Sequence, residues 1–401
     1  MNLLDTASLV VTPNGYKASK LYSIVPTDGT GDMTFARTGD TATRVNSSGL
    51  IESVLANKPR LDYLGGGCPK LLLEPQRTNL HQYSNNLTNA YWGKFNLTAA
   101  SNSSVAPDGG TSCSEINYTG SGGLVYKDTV ATAAGTYAFS MFAKYSNQAV
   151  MKVGITDNSV SYETQVNIQT GVITVSPAGI TSKIEAYGNG WYRITLIRVS
   201  AGSAGGIGPF FGFFGTNSGK ILIYGMQFEA GAYATSYIPT TTASVTRNAD
   251  SCSKTSISSL IGQTEGTIYG EFSNTAKLAG GRYFSLSDGS AGDRIDVYAN
   301  STSQIGVYAA KSYTAILNST VNLTANSSFK YAIGYKAGSW VFYLNGVQIA
   351  TSTNSNVPTL TAIQLSTDSL GGSAGEGVLF KSGALWKTRL TNQELVTLTS
   401  L

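Results

Sequence analysis

Apolar and polar residues alternate with a period of two over much of this chain, and glycine, asparagine or proline repeatedly interrupts the alternation. Tyr137, Phe139 and Met141 interleave with Ala138 and Ser140, residues 191–199 alternate again, and residues 221–228 form a nearly continuous apolar run. A period of two places one face of a segment in a core and the other in water, so these stretches predict β-strands. The clearest local signal is WVFYL, then Asn345-Gly346, then VQI. Asn-Gly supplies the two positive-φ positions of a type I′ turn, which predicts a hairpin. Helical signals are confined to a short turn at residues 256–261 and to the carboxy terminus, where Thr391 and Glu394 have capping-box spacing. The pattern therefore predicts an all-β protein: an N-terminal anchoring arm followed by two antiparallel β-sandwich domains of jelly-roll type.

The arm is assigned to residues 1–80, one sandwich to 81–250 with an exit connector at 231–250, and the other to 251–401. Short extended pieces in the first 57 residues, separated by Asn14-Gly15 and Asp28-Gly29, hold too little apolar surface for a core of their own. They need another chain or the domain behind them, which suggests attachment and oligomerisation. Residues 57–80, NKPRLDYLGGGCPKLLLEPQRTNL, read as a clasp. Three glycines break the chain, Leu71 to Leu73 make a strand buried on both faces, and Pro75 ends it because proline cannot donate to a ladder.

Composition narrows the function classes. Of 401 residues only 12% are charged, while Gly reaches 45 and Tyr, at 23, outnumbers Phe at 14, a balance that suits strands and turns over helical bundles. The net charge of +4 is spread without a basic block, so nucleic acid is not an expected partner. No apolar run approaches a membrane span, and no basic segment precedes the first apolar residues, so neither membrane insertion nor secretion is expected. Three widely separated cysteines, Cys68, Cys113 and Cys252, indicate neither a disulfide framework nor a zinc site and fit assembly in a reducing cytoplasm.

Three stretches, residues 12–52, 59–80 and 231–250, resemble segments of tailed-bacteriophage virion proteins of the fibre or appendage kind. The last two, PRLDYLGGGCPKLLLEPQRTNL and GAYATSYIPTTTASVTRNAD, carry the resemblance most specifically. It implies a protein of the virion surface, made in the host bacterial cytoplasm, with carbohydrate-binding-module-like and concanavalin A-like (laminin G-like) sandwiches. It also implies other virion proteins as partners, a homo-oligomer of three chains, and host cell-surface polysaccharide as ligand.

Glycan recognition needs apolar rings against the C–H faces of sugars and polar groups at their hydroxyls. Trp191, Tyr192 and Arg193, which open a strand, and Tyr298, Tyr308 and Tyr313, on or near loops, are the candidates. PFFGFF at residues 209–214 lacks polar handles and reads as core or subunit interface. Residues 287–296 are oxygen-rich, and Asp288, Asp293 and Asp296 are the residues that would hold calcium there, although their spacing fits no strict calcium loop. No E-x-D-x-x-E strand supplies the paired carboxylates of a glycoside hydrolase, and the single histidine, His81, has no nucleophile motif beside it. The expected function is a non-enzymatic structural protein, a tail or head fibre, that displays its sandwiches for host-surface glycan binding. The alternatives are a capsule or cell-wall depolymerase and a purely structural capsid or tail decoration.

Overall fold

A computed structural model describes residues 3–101, 104–202, 204–214, 219–274, 281–301, 303–323, 328–367 and 377–401. Strands dominate it, and several strand glycines make room for tyrosine side chains. At Gly266, Gly270 and Gly306 a Cβ would lie 2.4, 2.6 and 2.5 Å from the nearest side-chain atom of Tyr335, Tyr331 and Tyr298 respectively. Each ring rests on a strand glycine in the neighbouring strand, which packs a broad side chain where a β-carbon would collide with it.

Two six-stranded antiparallel sheets form a sandwich-like unit. One runs in the order Leu97–Ser101, Ser114–Tyr118, Lys220–Ala230, Gly135–Tyr145, Trp191–Ser200, Ile180–Ala186. The other runs Val172–Val175, Val160–Asn167, Val150–Asp157, Ile207–Gly212, Leu124–Tyr126, Gly93–Phe95. Phe139, Met141, Ile194, Leu196 and Phe228 of the first sheet share a core with Val153, Ile155 and Phe211 of the second. The apolar alternation read from residues 137–142 and 191–199 is the inward face of this packing. The phenylalanine-rich strand Ile207–Gly212 is buried throughout, so it serves the core.

A third, 16-stranded antiparallel sheet is nearly closed on itself. From one end it runs Thr314–Asn322, Gln304–Lys311, Arg294–Ser301, Arg282–Ser287, Ala362–Leu365, Ser251–Lys254, and then into the amino terminus with Met33–Ala36, Lys20–Val25 and Leu9–Lys17. It continues through Val378–Trp386, Glu265–Asn274, Ser328–Lys336, Trp340–Leu344 and Val347–Ser352. The first and last strands approach each other. Asn345 and Gly346, with φ of 49° and 80°, make the expected hairpin turn. The Thr391 and Glu394 capping box opens the helix Asn392–Thr399.

Strands of the expected arm thus lie inside this sheet. Val10 pairs with Ala384 on one side, and Phe35 pairs with Cys252 on the other. Leu9, Val11, Leu21, Met33 and Phe35 enter the same core as Ile268, Phe272 and Phe284. The apolar surface that these residues cannot bury alone is buried by the chain's own carboxy-terminal strands, and the amino-terminal strands fill the gap between Ser251–Lys254 and Val378–Trp386. No helix among the described residues is long and apolar enough to cross a membrane.

Candidate functional site

A cleft of about 790 Å³ lies where the first sandwich meets the clasp. Its floor is the outward face of Trp191–Ser200 and Ile180–Ala186, contributing Thr181, Lys183, Glu185, Arg193, Thr195 and Ile197. One wall comes from the hairpin Ala42–Val45 and Ile51–Val54 with Asp62 and Leu72 of the clasp, and the other from residues 232–237. Pockets of this size suit a small ligand or a few sugar units.

Tyr187 sits at the centre of the cleft's polar groups. Its ring meets Phe142 edge to face at 4.9 Å. Burial pushes the phenol up to about 12, with Arg193 opposing the shift and Asp62 and Glu185 adding to it. Arg193 is held from below: its Nη2 donates to Ser140 Oγ at 2.9 Å and to the Thr235 carbonyl at 2.6 Å, and its guanidinium lies 5.3 Å from the Phe142 ring. Asp62 accepts backbone N–H bonds from Val45 and Leu64, each at 2.9 Å, while burial raises its pKa above the ordinary carboxylate range. The site therefore presents a fixed cation, a phenol and a desolvated carboxyl around one opening.

Directly behind the cleft, the stretches 12–52, 59–80 and 231–250 meet in a buried ion network. Glu74 accepts from Arg60 Nη1 and Arg247 Nη1, both at 2.7 Å, and from the backbone and hydroxyl of Ser236 at 2.8 and 2.7 Å. Asp250 accepts from Arg37 Nη1 at 3.1 Å, from Arg60 Nη2, and from the Glu74 N–H at 2.9 Å. Arg37 comes from the first stretch, Arg60 and Glu74 from the second, and Ser236, Arg247 and Asp250 from the third. Sequence reasoning missed this network because its members lie as many as 213 positions apart. The available signal was the density of charged residues in residues 12–52 and 59–80 of a chain with few charges.

The predicted ligand residues scatter. Trp191 is a correction: it is 1% exposed and its indole N–H donates to the Val105 carbonyl, so no sugar reaches its ring. Tyr192 lies on the opposite face of its strand from the cleft, against Gly171, and Arg193 alone of the three lines the cleft. Tyr298 and Tyr308 belong to adjacent strands, not loops, while Tyr313 is 74% exposed in a turn. The calcium set is a second correction. Asp296 is 1% exposed between Arg282 and Arg294, both oxygens of Asp293 accept from the backbone of Ser312 and Thr359, and exposed Asp288 accepts from Ser290 N. These carboxylates are spent on separate partners, and no cluster of three His, Cys, Asp or Glu residues suited to a metal occurs among the described residues. His81 is sealed beside Tyr91 and Trp92, and burial, with Lys127 adding to it, lowers its pKa to about 3.

No protein-family model matches the sequence, and no curated protein matches it. Several solved structures are distantly similar to part of the chain. The CBM40 domain of the Ruminococcus gnavus IT-sialidase, bound to α2,3-sialyllactose, is 16% identical, covers 35% of this chain and 84% of its own, and has a TM-score of 0.29. Domain 4 of a GH43 extracellular arabinanase from Geobacillus stearothermophilus, in complex with arabinotriose, is 12% identical over 38% of this chain and 73% of its own, with a TM-score of 0.31. The binding domain of botulinum neurotoxin DC in complex with rat synaptotagmin II is 12% identical over 38% of this chain and 40% of its own, also at 0.31.

Proposed function

We propose that the chain is a non-enzymatic structural protein of a tailed-phage virion, on a tail or head fibre, whose jelly-roll sandwiches bind host-surface polysaccharide. The observation that carries the glycan part is the cleft: an open trough of about 790 Å³ in which Tyr187, Arg193, Asp62, Glu185 and Lys183 surround threonines and exposed aliphatic surface. Sugars need such a mixture of ring and hydrogen-bonding groups. The virion part rests on the three resembling stretches, whose charged residues meet in the network behind the cleft. A homo-trimer is the assembly that the fibre resemblance implies.

A glycan array probed with the whole protein tests this reading. Binding to a host envelope polysaccharide is expected, and Tyr187→Phe, which keeps the ring packed on Phe142 and removes only the hydroxyl, should weaken it roughly three- to tenfold at unchanged Tm. An empty array would overturn the proposal.

The depolymerase reading has one observation in its favour. Asp62, a buried carboxyl, and Glu185 line the same cleft, and glycoside hydrolysis uses a pair of carboxyl groups. If that reading holds, new reducing ends appear from purified host polysaccharide and vanish in Asp62→Asn. No release by the wild type excludes it.

A further inference from the structure

The sandwich has a second outward face, on the side away from the cleft. The cleft floor belongs to the sheet that holds Trp191–Ser200, whereas this face belongs to the sheet of Val160–Asn167, Val150–Asp157, Ile207–Gly212, Leu124–Tyr126 and Gly93–Phe95. Val125, Val153, Ile155, Val166 and Phe211 point into the core, so the residues between them face outward. The register lays these outward residues in two rows across the strands. One row is Glu163, Gly154, Phe210, Tyr126 and Gly93, and the next is Gln165, Lys152, Gly212, Leu124 and Phe95.

Glycine decides how the rings lie here. A Cβ on residue 93 would stand 2.5 Å from Tyr126 Cζ, and one on residue 154 would collide with the Phe210 ring. Each ring therefore lies down across the neighbouring strand instead of standing off the sheet. Phe210 is 5% exposed and forms the floor, whereas Tyr126 is half-buried and turns its other ring face to solvent. Phe95, 54% exposed, and half-buried Leu124 extend the apolar strip in the next row. Among the described residues, neither the Tyr126 hydroxyl nor the Gln165 side-chain amide has a hydrogen-bond partner. The charges of these strands are accounted for. Lys152 pairs with Glu163 at 3.6 Å, Asp157 is held by Arg198 and Ser200, and the Lys94 ammonium donates to the carbonyls of Leu87, Asn89 and Trp92. Beyond the strand end, Lys127 sits 4.5 Å over the Tyr91 ring and Asp128 is exposed, so the face carries no surplus positive charge.

From this we infer that the face formed by Phe95, Leu124, Tyr126, Lys152, Glu163 and Gln165 is a binding platform for an uncharged polysaccharide strand, on the opposite side of the sandwich from the cleft. Tyr126 and Phe95 cover C–H faces of the sugars, while the sugar hydroxyls meet the Tyr126 phenol, the Gln165 amide and the Lys152–Glu163 pair. Tyr126 and Glu163 stand three strand spacings apart, about 14 Å, which suits a chain of several units better than a single sugar. With no surplus cation, nothing on this face repays the desolvation of a ligand carboxylate, so acidic polysaccharide is disfavoured. The inference rests on the reading of the chain as a glycan-binding surface protein and adds to it a second place of contact and the charge class of the ligand there.

The test is calorimetric titration of the full chain with laminarin, dextran, galactomannan and amylose, with polygalacturonate as the acidic comparison. At least one of the four neutral polymers should bind, and polygalacturonate should bind at least about tenfold more weakly than that polymer. Phe95→Ala, at an exposed position, should weaken the neutral binding about threefold at unchanged Tm, and Tyr126→Ala should weaken it about tenfold. Should Tyr126→Ala lower thermal stability, Gln165→Ala reads the same face from its other end and should also weaken binding. Polygalacturonate bound as tightly as the neutral polymers, or neutral binding untouched by both Phe95→Ala and Tyr126→Ala, overturns the inference. A changed oligomeric state in those variants with glycan binding intact makes the face a subunit contact and overturns it as well. If neutral binding responds to Tyr187→Phe alone, or if the array is positive while none of the four polymers binds, the platform falls while the cleft stands; if nothing binds here or on the array, both fall.

Discussion

Replacing Glu74 by alanine should destabilise the protein by about 3–5 kcal/mol in urea unfolding, the range for removing one partner of a buried ion pair. The reason is what the change leaves behind. Arg60 and Arg247 have fully buried side chains, and both give Nη1 to the same Glu74 oxygen. Removing that carboxylate leaves Arg247 without its ion-pair partner and leaves Asp250 alone to serve both Arg37 and Arg60. Ser236 also loses the acceptor for its backbone N–H and its hydroxyl. The pH dependence follows from the same geometry. Burial alone would raise the Glu74 pKa, but Arg247, Arg60 and the Ser236 hydroxyl outweigh it and hold the carboxyl at about 2. A folded-state pKa below the unfolded one contributes stability that is fully present above about pH 4.5 and is lost as pH falls toward 2. Wild-type Tm should therefore drop across that window, and Glu74→Gln should flatten that part of the profile. A Glu74→Ala protein within 1 kcal/mol of wild type would mean the network is not the joint between the three segments.

What was legible from the sequence had a local cause. The hairpin at Asn345-Gly346 needs only two residues of the right φ, and the terminal helix needs only Thr391 and Glu394 three positions apart. Strand alternation also reads locally, because it records which face meets a core. It cannot say which core. The pairing of Val10 with Ala384 spans nearly the whole chain, and nothing in residues 9–36 marks their neighbours as Ser251–Lys254 and Val378–Trp386. Trp191 shows the same limit from the other side. A tryptophan opening a strand next to a tyrosine must send one ring inward, and the packing of Ile51, Cys113 and Phe142 around it decides which. Of the cleft, Arg193 is a residue that the sequence singled out. Its neighbours there, Asp62 and Glu185, come from register and from long-range crossing.

The strand Lys70–Leu73 admits a sharper experiment. Leu71 and Leu73 are completely buried in the core of the large sheet, where Leu73 pairs with Val378. Leu72, one step along, points the other way and lines the cleft beside Asp62, Lys70 and Glu74. Both positions read as buried, yet their surroundings differ: one is hydrocarbon on every side, the other borders a polar opening. Leu73→Asp must either ionise without a partner or remain protonated with unmet hydrogen bonds, and the penalty approaches the whole stability of about 5–15 kcal/mol that domains possess. It should give no cooperative urea transition and no soluble folded protein. Leu72→Asp reaches the cleft's solvent and the Lys70 ammonium, so the expected loss is about 1–3 kcal/mol with a cooperative transition retained. If the two variants unfold alike, the strand does not divide core from cleft, and the cleft loses the wall that separates its polar groups from the large sheet.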